Sequence, residues 1–271
     1  MPHALSLYAR LRSGLAQLAF RRTETGESAI GRRANEGRPY EPEMYELFRQ
    51  ALRPGMVVVD VGAHEGLFTH LAAALVGPTG RVWAIEPAPG NFRVLGRKAA
   101  AFPHVTAVHA AASDRNGIAR FALDADNSTR HSLFTANVGR RWRSWPVRTV
   151  ALARVLPADL PRLDLIKIDT QGAEPQVLRG ARPAIKKHRP VIVFELWPTG
   201  WRSGGHEPAA VLDSLTRLGY ALHYLSARRG LLPESHVRAF LDQAEGRWQS
   251  INVVAAHRKS TARIDAMIAA D

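Results

Sequence analysis

The stretch "LIKIDTQGAEP", Leu165 to Pro175, concentrates groups able to move protons or hold ions. Lys167 and Asp169 lie two apart in an apolar run. On a strand they share one face. Asp169 ends the run and faces whatever lies beyond it, as an orienting carboxylate or a metal ligand; Lys167 reads as its ion-pair partner. Glu174 precedes Pro175, and proline favours the first turn of a helix. That places Glu174 at or near a helix N-terminus, where a carboxylate satisfies free backbone N–H groups or takes part in the chemistry. Glu195 closes the next apolar run, "PVIVFEL", and can neighbour Asp169. These carboxylates, Asp169, Glu174 and Glu195, are the candidates for acid–base work or for a divalent ion that lowers a hydroxyl pKa. Gln171 reads as a hydrogen-bonding or paving residue of the same loop.

A second constellation opens with "VVVDVGAHEGLFTHLAAAL", Val57 to Leu75. A strand ends at Asp60, a small-residue turn follows, and a helix begins. Gly62 and Gly66 allow a sharp turn and close approach of a ligand to the backbone. Glu86 ends the following strand, where a carboxylate can accept two hydrogen bonds from a ribose diol. Together these predict an adenosine site. The dinucleotide pattern G-x-G-x-x-G fails at His64 and Leu67, and no G-x-x-x-x-G-K-[ST] phosphate loop occurs. S-adenosylmethionine carries no phosphate, so a side chain at position 64 is tolerable. Asp60 and the turn backbone, with Ala63 and His64, then face its methionine part.

The elements that carry these residues alternate. Seven short apolar strands, beginning "MVVVDVG", "RVWAIEP" and "VTAVHAAAS" and ending "SINVVAAH", are separated by helical segments. Such alternation predicts an α/β fold with a mostly parallel sheet and helices on both faces. Residues 115–156 break the rhythm and read as an inserted hairpin or loop region beside the site. It offers Asn127, His131 and Ser132. Trp142, Trp145, Trp197, Trp201 and His206 are further candidates for acceptor contacts. Residues 1–39 read as an amphipathic helix, Leu5 to Arg22, and a polar linker, followed by one domain over 40–271.

The ordered set "VVVDVGAHEGLFTHLAA", "GRVWAIEPAPGNFRVL", "AAASD", "DLIKIDTQGAEPQVLRGA" and "RPVIVFE" resembles the FkbM-type methyltransferases over most of residues 40–256. The resemblance implies a seven-stranded class I methyltransferase (Rossmann-like) fold. It also implies O-methylation of a hydroxyl on a sugar, glycan or natural-product scaffold, with S-adenosylmethionine as donor. It assigns cofactor contacts to Asp60, Gly62, Ala63, His64, Gly66, Glu86 and Asp169, and adenine contacts to Ser113 and Asp114. Three positions depart from the family pattern. His64 stands where asparagine is usual, Gln171 where glutamate is more frequent, and Ala153 where an acidic residue is usual.

The 271 residues hold 37 Lys plus Arg against 24 Asp plus Glu, a net charge of +13, and no cysteine. Disulfides, thiolate metal sites and cysteine nucleophiles are excluded. No apolar run is long enough to span a bilayer, so a cytoplasmic protein is expected, with peripheral membrane contact left open. The positive charge favours anionic partners. A nucleic-acid methyltransferase would explain it, but "DTQG" stands where base-methylating enzymes carry an Asn/Asp-Pro-Pro-aromatic motif, which points away from nucleic acid. A donor-binding module without catalysis is the remaining alternative.

Overall fold

The computed structural model describes residues 41–244 and 246–259. The expected N-terminal helix and linker lie outside them. Pro42 supplies the first turn of α1, Pro42–Ala51, and "RPG" ends it. The chain then runs through β1, Val57–Val61, α2, Leu67–Val76, β2, Arg81–Glu86, α3, Pro89–Ala99, and β3, Val105–His109. After β4, Ala111–Ala112, a long hairpin of β5, Gly117–Asp124, and β6, Trp142–Val150, intervenes, followed by the short α4, Leu152–Val155. The second half comprises β7, Leu165–Ile168, α5, Glu174–His188, β8, Val191–Leu196, α6, Pro198–Ser203, and α7, Pro208–Arg217. It closes with β9, Tyr220–Ser226, β10, Gly230–Leu232, α8, Glu234–Gln243, and β11, Ile251–His257.

The main sheet has eight strands in the order β10-β9-β11-β8-β7-β1-β2-β3. Strands β8, β7, β1, β2 and β3 are parallel, and β11 inserts antiparallel between β8 and β9. Strand order reverses between β1 and β7, and in open sheets of this kind ligands bind outside the carboxyl ends at that point. The seven expected strands are present. The eighth, β10, is a three-residue edge strand returning on β9; three residues carry too little alternation to be read from sequence. The third expected strand is divided. After His109 the chain leaves the main sheet, and Ala111–Ala112 pairs with β6 in a second, three-stranded sheet, β4-β6-β5.

Side chains alternate between two cores. Val57, Val59 and Val61 face a core with α5, α7 and α8, whereas Val58 faces the core built on α1 and α2. Ile166 and Ile168 follow the first set and Leu165 the second. By the period of two, Asp60, Glu86, Lys167, Asp169 and Glu195 all share the face of α1 and α2. Five ionisable residues from four adjacent strands therefore converge at one end of one face. Among the described residues, no helix is long and apolar enough to cross a membrane.

Candidate active site

The turn after β1 is shaped by its neighbour. Gly62 has φ +73°, and a Cβ there would run into the carbonyl oxygen of Asp169. The end of β7 thus crosses against the turn, and only glycine fits. His64 follows at φ +51°, in the left-handed region where Asn, Asp and His are the tolerated non-glycine residues. Its backbone N–H donates to Glu86 Oε2 at 2.8 Å, and its ring Nε2 lies 3.1 Å from Ser128 Oγ. Burial lowers the His64 pKa to about 4, helped by His131 and Lys167 and opposed by Asp169. The imidazole is neutral at physiological pH.

Glu86 is 4% exposed. Its Oε1 accepts from Ala88 N at 2.9 Å and from Asn91 Nδ2 at 3.4 Å. A carboxylate offers about four acceptor positions, so Oε2, holding only the His64 N–H, keeps capacity for a ligand hydroxyl. Burial pushes the Glu86 pKa up to about 7, against the pull of its donors. Asp60, wholly buried, accepts from Thr69 Oγ1 at 2.6 Å through Oδ2, and its Oδ1 lies 3.5 Å from Lys167 Nζ.

Lys167 is shared. Its Nζ is also 3.8 Å from Asp169 Oδ2. Burial alone would lower its pKa, but the Asp60 and Asp169 carboxylates outweigh burial and raise it. The nearer partner is thus Asp60, directly opposite in the β1–β7 register, whereas the spacing pointed to Asp169. With 29% of its side chain exposed, Asp169 is the most open of the three.

Around Asp169 lies an acidic pocket. One ligand atom each of Asp169, Glu174 and Glu195 falls within 4.8 Å of the others. Gln171 sits between two of them: its Nε2 donates to Asp169 Oδ1 and to Glu195 Oε2, both at 3.0 Å. Glu195 Oε1 accepts from Ser250 Oγ at 2.8 Å. Burial, then the charges of Asp169 and Glu174, raise the Glu195 pKa well above the carboxylate range. Gln171 is itself at φ +54°. Its carbonyl accepts from Ser132 Oγ at 2.8 Å and Asn137 Nδ2 at 3.0 Å, so the β5–β6 connection clasps this loop.

Glu174 plays a different part from its neighbours. It is the first residue of α5, not the cap; Ala173 holds that position. Its carboxylate folds back to accept from Thr170 N at 2.6 Å, Thr170 Oγ1 at 3.0 Å, Gly172 N at 3.0 Å and Trp201 Nε1 at 2.8 Å. Burial pushes its pKa up to about 7, opposed by these donors. Four donors fill its acceptor positions. A divalent ion, the alternative to a direct role for these carboxylates, does not fit this donor set: the acceptor positions of Glu174 are taken, and an amide donor already bridges Asp169 and Glu195.

Ser113 and Asp114 lie apart, against α5. A Cβ on Gly180 would run into the Ser113 carbonyl. The Asp114 carboxylate accepts from Arg179 at 3.0 Å and Arg115 at 3.2 Å, and these ion pairs hold its pKa below the ordinary value despite burial. Thr69, Asn91, Ser128, Asn137 and Ser250 also reach the site. Thr69 and Asn91 are local, nine residues after Asp60 and five after Glu86; Ser128, Asn137 and Ser250 come from distant segments by folding alone.

A doubly wound sheet with its last strand antiparallel, and a glycine turn and buried carboxylate at its switch point, has the class I methyltransferase arrangement. The model of the methyltransferase FkbM domain matches residues 60–222, more than half of the chain. The chain belongs to that family. It is similar to the structure of methyltransferase FkbM from Methylobacillus flagellatus, with 18% identity and a TM-score of 0.43, covering 91% of this chain and 60% of that one. A fibrillarin from Aeropyrum pernix in complex with S-adenosyl-L-methionine is 12% identical, with 78% and 76% covered and a TM-score of 0.44. An rRNA methylase from Streptococcus thermophilus is 9% identical, with 79% and 93% covered and a TM-score of 0.42. The ligand and the RNA substrate belong to those proteins. No curated protein matches the chain significantly.

Proposed function

We propose that the protein transfers a methyl group from S-adenosylmethionine to a hydroxyl of a sugar, glycan or natural-product scaffold. The supporting observation is the acidic pocket: Asp169 and Glu195, bridged by Gln171, stand at the ends of β7 and β8 beside the β1 turn. The donor supplies an electrophilic methyl on a sulfonium. Glu86 accepts a ribose hydroxyl through the spare capacity of Oε2, and the turn from Gly62 to Gly66 lies along the methionine part. Asp169, more open than Asp60 and Lys167 beside it, takes the acceptor's hydroxyl proton; a positioned base of this kind contributes roughly 10²–10⁴-fold. Glu195 holds the far side of the Gln171 amide. Glu174 keeps the Thr170–Gly172 loop in shape and touches neither reactant. Ser113 and Asp114 belong to this reading only as the adenine-side wall, their carboxylate being committed to Arg179. This reading assigns no step to a metal ion.

The test is release of S-adenosylhomocysteine by the purified protein with glycan and metabolite extracts, followed by mass spectrometry of the products. Methylated hydroxyls support the reading. Methylation of RNA with all hydroxyl acceptors untouched, or donor binding with no turnover on any acceptor, overturns it.

A further inference from the structure

The β5–β6 hairpin forms one wall of the candidate site on its inside, through Ser128, Ser132 and Asn137. Its exposed side chains are unlike the rest of the molecule: by the β5–β6 register Ile118, Arg120, Trp142 and Arg148 share one face, while Arg143 and Trp145 stand on the other. Residues 141–146, "RWRSWP", are exposed without interruption. A strand packed on a core would show alternation, so the start of β6 is covered on neither face. Three of the four large apolar side chains most exposed among the described residues are here: Ile118 at 82%, Trp142 at 42% and Trp145 at 46%. Residues 115–150 hold seven arginines and two aspartates, with no lysine or glutamate. Arg115 and Arg141 have carboxylate partners in Asp114 and Asp126. Among the described residues none stands against Arg120, Arg143 or Arg148, all exposed.

We propose that this hairpin is a docking surface for an anionic lipid bilayer. Unpaired arginines call for an anionic partner, and an anionic leaflet attracts each cation held near its surface. Residues 1–40 have their own surplus of arginine over glutamate, so like charge argues against that segment or a second copy as the cover. Tryptophan favours the level of the headgroups. Ile118, which can neither stack on bases nor hydrogen-bond, gains only from an apolar boundary such as the acyl region. That distinguishes a bilayer from a nucleic acid. Docked in this way, the site opens beside the membrane, which suits a lipid-linked or membrane-embedded hydroxyl acceptor. This last clause rests on the proposed function; the binding does not.

The experiment is co-sedimentation of the full chain, without donor or acceptor, with phosphatidylcholine vesicles containing or lacking phosphatidylglycerol. Binding is expected only with phosphatidylglycerol and should fall as salt rises. The triple variant R120Q/R143Q/R148Q should bind about 100-fold more weakly, at roughly 1 kcal/mol per cation and tenfold per 1.4 kcal/mol. Vesicles with brominated acyl chains should quench tryptophan fluorescence in the native chain and much less of it in W142S/W145S, a reading that survives if the arginine variant misfolds. Equal binding with and without phosphatidylglycerol, an arginine variant that binds like the parent, or RNA bound more tightly than vesicles overturns the proposal.

Discussion

Glu86 draws its hydrogen bonds from residues 64, 88 and 91, while Glu195 draws its from residues 171 and 250. The two carboxylates share a face of the same sheet and are both held above the ordinary pKa by burial. Their surroundings are built differently. The β1 turn and Glu86 belong to one β-α-β unit, so a few consecutive residues fix the geometry. The acidic pocket is gathered from β7, β8, the β5–β6 connection and the residue before β11. A local site tolerates change elsewhere in the fold; a gathered one depends on every segment that clasps it. Lys167 joins the two, with Asp60 on one side and Asp169 on the other.

The largest expected effect breaks that joint. Asp60→Asn removes the nearer charge from a fully buried pair and leaves Lys167 with the more distant Asp169 as its ion-pair partner. Breaking a buried pair costs about 3–5 kcal/mol, and a shift of that size is expected in urea unfolding of the variant. Asp169→Asn keeps the Asp60 partner and should unfold almost as the parent does, while turnover falls by about 10² or more. A calorimetric melt beside a donor titration and a turnover assay separates the two variants. If Asp169→Asn instead melts early and turns over normally per folded molecule, Asp169 only holds the sheet together and the pocket is structural.

The contrast between the regions also explains what the sequence disclosed. The β1 turn was legible because its parts are close in sequence: strand, Gly62, Gly66, helix, and Glu86 one strand later. The strand alternation was legible for the same reason, since burial on both faces writes apolar runs of four to six residues. The division of the third strand was not, because Ala110 to Ala112 suits either sheet and only the position of β6 decides. In the pocket, the parity of Lys167 and Asp169 could be read, but the nearer partner of Lys167 is set by the β1–β7 register. The bridging role of Gln171 needs Glu195, 24 residues away, and its clasp needs Asn137, 34 residues away. Nothing local in the chain signals either contact.

The local site offers a smaller and sharper test. In Glu86→Gln an amide N–H₂ replaces one acceptor oxygen; at about 1.5–3 kcal/mol for a charge-assisted hydrogen bond, donor affinity should drop by roughly 10- to 100-fold in calorimetry. The pH dependence has a definite sign. The Glu86 carboxyl, ordinarily near 4.5, is raised to about 7 in the fold, so the folded protein binds more protons than the unfolded chain in between. Its contribution to stability is therefore full below about 4.5 and is lost as pH rises through about 7. The ribose needs the ionised acceptor, so donor affinity of the parent should increase from pH 6 to pH 8, and that of Glu86→Gln should not. A flat profile in the parent would remove Glu86 from the donor site.

The smallest effect concerns His131, the residue whose chemistry most resembles a base and whose geometry least permits it. Its Nδ1 accepts the Asp124 N–H at 2.9 Å. In a neutral imidazole only one ring nitrogen can accept, so Nε2 carries the proton and can donate but not take one. Burial lowers the His131 pKa, so the ring stays neutral although Asp124 pulls the other way. A side chain locked in this tautomer cannot deprotonate a hydroxyl. Asparagine places an amide oxygen near the Nδ1 position and can keep the Asp124 contact, so His131→Asn should retain turnover within a few-fold, far short of the roughly 10²-fold loss expected for removing a base. His131→Ala forfeits the contact and should lose about 1 kcal/mol of stability with little change in turnover per folded molecule. If His131→Asn instead abolished turnover with an unchanged melt and unchanged donor affinity, the reacting hydroxyl would face the hairpin wall, and Asp169 would be the orienting group beside it.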